Sequence, residues 1–161
     1  MSNLTFLTST KAVELIDQVG SVFDKAPHLP ENIRVVLAKI APWLALLGGV
    51  LSVFGGLSSF GAQSTYNSML AYVPQFTSIN PAYFMISGLL SLVSGALMLM
   101  AFKPLKERMK DGWIYIFWSD VVGIVQSLVS LVLAAANPVG VVIGILVSFY
   151  LLFEMRSEFK K

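Results

Sequence analysis

The chain has 161 residues, of which 56% are hydrophobic and only 12% charged, and its mean hydropathy is +0.76. Soluble domains carry about 25% charged residues, so a globular core of this size could not hide the apolar surface, and part of the solvent must be lipid. The formal charge is +2, and the basic cluster from Lys103 to Lys110 carries too little charge for nucleic-acid binding; the absence of cysteine excludes disulfides, thiolate catalysis and Cys-ligated zinc or iron–sulfur clusters.

In chain order, residues 1–40 are expected to form an amphipathic cytoplasmic or interfacial region. Lys11, Glu14, Asp17, Asp24 and Lys25 interrupt any apolar core of a signal peptide, so the segment is expected to stay on the protein. From Thr10, a plausible N-cap, Ala12, Leu15, Ile16, Val19, Val22 and Phe23 recur at spacings of three and four, with Glu14, Asp17, Gln18, Ser21 and Asp24 opposite. That pattern predicts an amphipathic helix ending near Ala26-Pro27. A second helix start follows at Leu29-Pro30-Glu31, with Ile33, Val36, Leu37 and Ile40 as an apolar side lying along the membrane surface. Its use is to anchor the chain at the interface, to dock a partner, or to cap the bundle. The acidic excess over Lys11 and Lys25 argues against a purely electrostatic anchor.

Residues 41–156 are expected to form an all-α, four-span bundle with spans at about 42–62, 81–102, 112–136 and 139–153, and residues 157–161 a short tail. Trp43 marks the water boundary of the first span and Pro42 its entry or a kink. Gly48, Ser52, Gly55, Gly56 and Ser59 lie within about a third of that helix, a smooth side that another helix backbone can approach closely. Residues 63–80 carry no charge, and Tyr66, Tyr72 and Phe76 suggest a loop against the outer headgroups, or a short interfacial helix there broken at Pro74. Asn80-Pro81 opens the second span, on which Ser87, Ser91 and Gly95 form a small-residue row at spacing four with Ser94 beside it. After the third span, Asn137-Pro138 makes a tight turn. The fourth carries Gly140, Gly144 and Ser148, a GxxxG pattern extended by a serine.

Orientation follows from charge. No Lys or Arg occurs between Lys39 and Lys103 or between Lys110 and Arg156. The positive-inside rule therefore places both termini and the Lys103–Asp111 loop in the cytoplasm. In that loop Lys103, Lys106, Arg108 and Lys110 set topology and suit anionic lipid headgroups. The two hairpins differ in outer loop length, about eighteen residues against two, which argues against a symmetric transporter repeat.

One residue stands out. Asp120 is the sole charged side chain inside a predicted span, roughly 13 Å from the cytoplasmic end at about 1.5 Å per residue. Insertion of an acid at a span centre costs on the order of 2.5–3.5 kcal/mol, while each Leu, Ile, Val or Phe returns about 0.3–0.6, so this span can carry it. At 100° per residue Ser119, Asp120, Gly123, Gln126, Ser127, Ser130 and Ala134 share one face. Two uses fit: a cation or proton site along a path lined by Gln126, Ser127 and Ser130, or a hydrogen-bonded Asp that holds helices together through serines of the first or second span, with contact to another subunit as a third. The lone His28, between Pro27 and Pro30, reads as a loop residue rather than a metal ligand. With no phosphate-binding, metal-protease or nucleophilic motif, no enzyme, metal or cofactor is expected.

The stretches Lys25-Ala-Pro-His-Leu-Pro-Glu-Asn-Ile-Arg34, Lys39-Ile-Ala-Pro-Trp-Leu-Ala45 and Gly144-Ile-Leu-Val-Ser-Phe-Tyr-Leu-Leu-Phe-Glu-Met-Arg156 resemble those of small bacterial integral membrane proteins. The resemblance implies a bacterial membrane location and carries over no activity, cofactor or functional residue. The expected function is that of a structural or accessory subunit, packing with itself or with a larger membrane complex in contact with membrane lipids. The alternative is a small oligomeric transporter or channel that uses Asp120.

Overall fold

The computed structural model describes residues 10–23, 26–72, 79–134 and 136–159. The break expected at Pro74 and the ring of Phe76 lie outside the described residues, as do Asp24 and Lys25. The described chain is all α: α1 (Thr10–Phe23), α2 (Glu31–Tyr72), α3 (Pro81–Lys106), α4 (Lys110–Leu133) and α5 (Pro138–Met155), closed by a 3-10 turn at Arg156–Glu158. Helices α2 to α5 are each long and apolar enough to cross a membrane, the mark of a multi-pass membrane protein.

Helix α2 differs from the expected boundaries. The surface segment and the first span are one 42-residue helix that passes through Pro42 and continues ten residues beyond Ala62. At about 1.5 Å per residue it is roughly 63 Å long, twice the roughly 30 Å of a hydrocarbon core. The polar sequence after Ala62 reads as a loop, yet it contains no proline or glycine before Pro74. The hydroxyls of Ser64 and Ser68 donate back to the carbonyls of Gly61 and Ser64 at 2.9 Å each, so their polarity is met within the helix. The extension rests on the start of α3, where the Tyr66 hydroxyl accepts from the Ile79 amide at 3.1 Å and the Tyr66 ring lies 5.6 Å from that of Phe84.

The starts of α3 and α5 are both capped as the Asn-Pro pairs imply. Asn80 accepts from the Ala82 amide, and Asn137 from the amides of Val139 and Gly140. At the other end α3 stops at a Schellman turn: the Met109 amide donates to Pro104 at 2.8 Å, the Arg108 amide donates to Leu105 at 3.1 Å, and Arg108 takes φ 58°. Gly112 then allows α4 to start hard against that turn, since a Cβ there would lie 2.5 Å from the Leu105 nitrogen.

Helices α2 and α3 are joined by a glycine seam. A Cβ on Gly56 would sit 2.9 Å from the Gly88 carbonyl oxygen and one on Gly88 3.0 Å from that of Gly56; Gly49 and Gly95 approach each other likewise, at 3.1 and 3.0 Å. Each helix thus contributes two glycines seven residues apart, running antiparallel. Of the expected row, Gly56 and Gly95 belong to this seam, Gly48 faces the Met98 thioether, and Gly55 meets open space among the described residues. The remaining core lies at the end where α1 and the 3-10 turn sit, here termed the capped end. Trp113, Phe117, Phe149 and Phe153 form edge and stacked contacts with ring centroids 5.4–6.3 Å apart. Phe23 of α1 joins them at 5.6 Å from Phe153, and Ile16, Leu105 and Leu152 are buried alongside.

Candidate functional site

The polar face of α4 is split between two neighbours. Toward α3, the Ser119 and Ser94 hydroxyls share a 2.7 Å hydrogen bond, Gln126 donates to Ser91 at 3.1 Å, and Ser130 donates to the Tyr83 hydroxyl at 3.4 Å. These groups are spent in fastening two helices. The row expected on α3 divides accordingly: Gly95 faces α2, Ser91 faces α4, and Ser87 is buried with its hydroxyl turned back to the Phe84 carbonyl.

Asp120 turns the other way. Its Oδ2 accepts from the Ser148 hydroxyl of α5 at 3.0 Å, so its hydrogen-bonding serine belongs to the fourth span, not the first or second. Gln126 and Ser130 do not converge on it. Ser127 shares its groove, although the Ser127 hydroxyl donates to the Gly123 carbonyl at 2.8 Å.

Two cavities meet at the Asp120–Ser148 bond. On the capped side a largely apolar cavity of about 230 Å³ lies among Leu37, Ala41, Met98, Ile116 and Leu151. On the far side a groove of about 440 Å³ runs between α4 and α5, floored by Gly123, Ser127, Gly140 and Gly144 as far as Asn137. The groove exists because α5 touches the bundle mainly at its last turns. Phe149, Leu152 and Glu154 are its buried residues, while Val139, Val142, Ile143, Leu146 and Val147 are all exposed. A Cβ added at Gly123, Gly140 or Gly144 would meet nothing within 4 Å among the described residues. The small-residue row of α5 is therefore unfilled, in contrast to the seam between α2 and α3.

The capped end of α5 is held by polar contacts that join residues more than a hundred positions apart. Glu154, its side chain only 4% exposed, accepts from His28 Nδ1 at 2.8 Å and from the Leu29 amide at 2.9 Å. The Tyr150 hydroxyl donates to the Pro27 carbonyl at 2.6 Å, and Arg156 pairs with Asp17 of α1 at 2.6 Å. The Arg156 guanidinium also lies 5.3 Å over the Trp113 ring, whose indole N–H donates to the Leu152 carbonyl at 2.8 Å. His28 is thus a loop residue, but one paired with a carboxylate that its own neighbourhood in the sequence does not supply. Among the described residues no three His, Asp or Glu come together as a metal site would need.

Comparison with protein-family models, curated proteins and solved structures finds no match. Of the basic loop, Lys103, Lys106 and Lys110 are exposed, whereas Arg108 folds back with its guanidinium 5.7 Å over Phe159 and its Nη1 buried. Three cations, not four, face outward there. On α1, Ala12 and Ile16 are buried and Glu14, Asp17 and Gln18 exposed, but Leu15 and Val22 are exposed as well, so the bundle covers only part of the apolar side.

Proposed function

We propose that the protein is a small structural or accessory subunit of a bacterial cytoplasmic membrane, assembling with itself or a larger membrane complex through the open face of α4 and α5. One observation carries the reading: Gly123, Gly140 and Gly144 present a smooth groove that nothing in the described chain fills. In lipid, helices associate by close packing of such small residues, because tails compete equally for larger apolar side chains. The distribution of basic residues supports cytoplasmic termini. Lys103, Lys106 and Lys110 then face anionic headgroups, and the exposed Leu15 and Val22 of α1 suit an amphipathic interfacial helix. Extraction in mild detergent, with mass measurement of the intact particle, tests the assembly. The expected particle is larger than one chain and reverts to a single chain on Gly144→Leu; a wild-type single chain would refute the reading.

A second reading, ion or proton movement through Asp120, is favoured by the meeting of two cavities at its carboxylate. Unchanged cation and proton flux into vesicles containing Asp120→Asn would remove it.

A further inference from the structure

The groove carries more information than its smoothness. Its capped end is closed by a carboxylate that, among the described residues, accepts a hydrogen bond from a neutral hydroxyl, that of Ser148. Within the membrane, acidic side chains pair with cations or donors wherever these are available, and among the described residues no Lys or Arg pairs with this one. The nearest basic residue on the same helix, Lys110, lies ten positions away, about 15 Å along the axis. A second copy could not supply one either. Inserted with the same topology, it would bring its Lys and Arg to the ends of its own spans, at the same depth as those of the first copy.

We propose that the α4–α5 groove receives a membrane-spanning helix of a different protein, one that bears a Lys or Arg at the depth of Asp120 and pairs it with that carboxylate. This rests on the assembly reading above and narrows its partner. Gly123, Gly140 and Gly144 admit the incoming backbone at close range, and Asp120 sets its depth and its identity. Charge complementarity selects the occupant: a helix without the cation leaves the acid unpaired in a low-dielectric setting, which is costly, while the matched pair is stabilised there.

The test uses designed single-span peptides, a Leu/Ala host helix with a GxxxG face and either Arg or Leu at its centre. Association with the labelled full-length protein in phosphatidylcholine vesicles is measured by energy transfer. The Arg peptide is expected to bind at least tenfold more tightly than the Leu peptide. That preference should disappear in Asp120→Asn, persist in Ser148→Ala, where the carboxylate is freed of its internal donor, and binding of both peptides should fail in Gly144→Leu. Ser148→Ala is the control for Asp120→Asn: it removes the same contact with α5 but keeps the carboxylate, so loss of the preference in both variants would trace it to the placement of α5 and overturn the charge pairing. Equal binding of both peptides, abolished by Gly144→Leu, would overturn the charge pairing and leave the assembly face intact. Failure of both peptides with self-transfer sensitive to Gly144→Leu would place a second copy in the groove and overturn the proposal. No binding and no self-association would remove the assembly reading as well.

Discussion

The glycine seam between α2 and α3 makes a prediction whose sign changes along the same pair of helices. In Gly95→Ala the new Cβ would stand 2.8 Å from Val53 Cγ2, 3.0 Å from the Gly49 carbonyl oxygen and 3.1 Å from the Val53 nitrogen. The valine methyl cannot swing away freely, because a β-branched side chain in a helix has one strongly preferred rotamer, and the other two atoms are backbone. The helices must therefore part by several tenths of an ångström, loosening the reciprocal contact at Gly56 and Gly88. Overpacking of this kind costs about 1–3 kcal/mol, offset by roughly 0.5–1 kcal/mol from replacing a helical glycine by alanine. The net expectation is a loss of about 1–2 kcal/mol, roughly a five- to thirtyfold shift in the unfolding equilibrium. Gly55→Ala, turned away from the seam, meets nothing within 4 Å among the described residues and should be neutral or gain up to about 1 kcal/mol. Unfolding of both variants in mixed micelles by increasing SDS, followed by circular dichroism, gives the comparison. Equal midpoints would refute the seam.

Three further outcomes are expected. Gly112→Ala forces a Cβ to within 2.5–3.0 Å of the backbone of Pro104 and Leu105, which should destabilise the α3–α4 turn by about 1–3 kcal/mol in the same micelle assay. Arg108→Gly relieves a non-glycine residue held at φ 58° and should raise stability by about 0.5–1 kcal/mol, provided the cation over Phe159 contributes less than that strain; a lower midpoint would show that the stacking dominates. Glu154→Ala removes the acceptor of both the Leu29 amide and His28, at a cost of about 1–3 kcal/mol. Hydrogen exchange of the Leu29 amide should accelerate, while that of the α2–α3 seam stays unchanged.

The all-α class and the four spans could be read from the sequence because lipid imposes strict demands: long uncharged stretches, Asn-Pro starts and a basic loop each have few alternatives. The continuity of α2 was not legible, since residues 63–72 are polar without being helix-breaking, and their hydroxyls find partners only once the helix exists. Small-residue rows point to packing, but Gly49 and Gly88 fall outside them because their signal is a spacing of seven shared between two helices rather than four within one. Projection put Asp120 with Gln126 and Ser130, yet 120° of helix surface is wide enough to touch two neighbours, and tertiary packing gave the acid to α5 and the others to α3. Glu154 with His28 and Asp17 with Arg156 had no local signature at all, being joined only by the closure of the fold.

That closure has a consequence for biosynthesis. Every glycine of the α2–α3 seam has left the ribosome once residues up to Lys106 have been made, and its reciprocal contacts are all between these two helices. The opposite holds for α1, whose contacts with Phe153 and Arg156 wait for α5 and the turn that follows it. A nascent chain halted after α4 would therefore display the α2–α3 hairpin beside an α1 that lacks these contacts, and the emergence of α5 would be the event that draws α1 onto the turn at Arg156–Glu158.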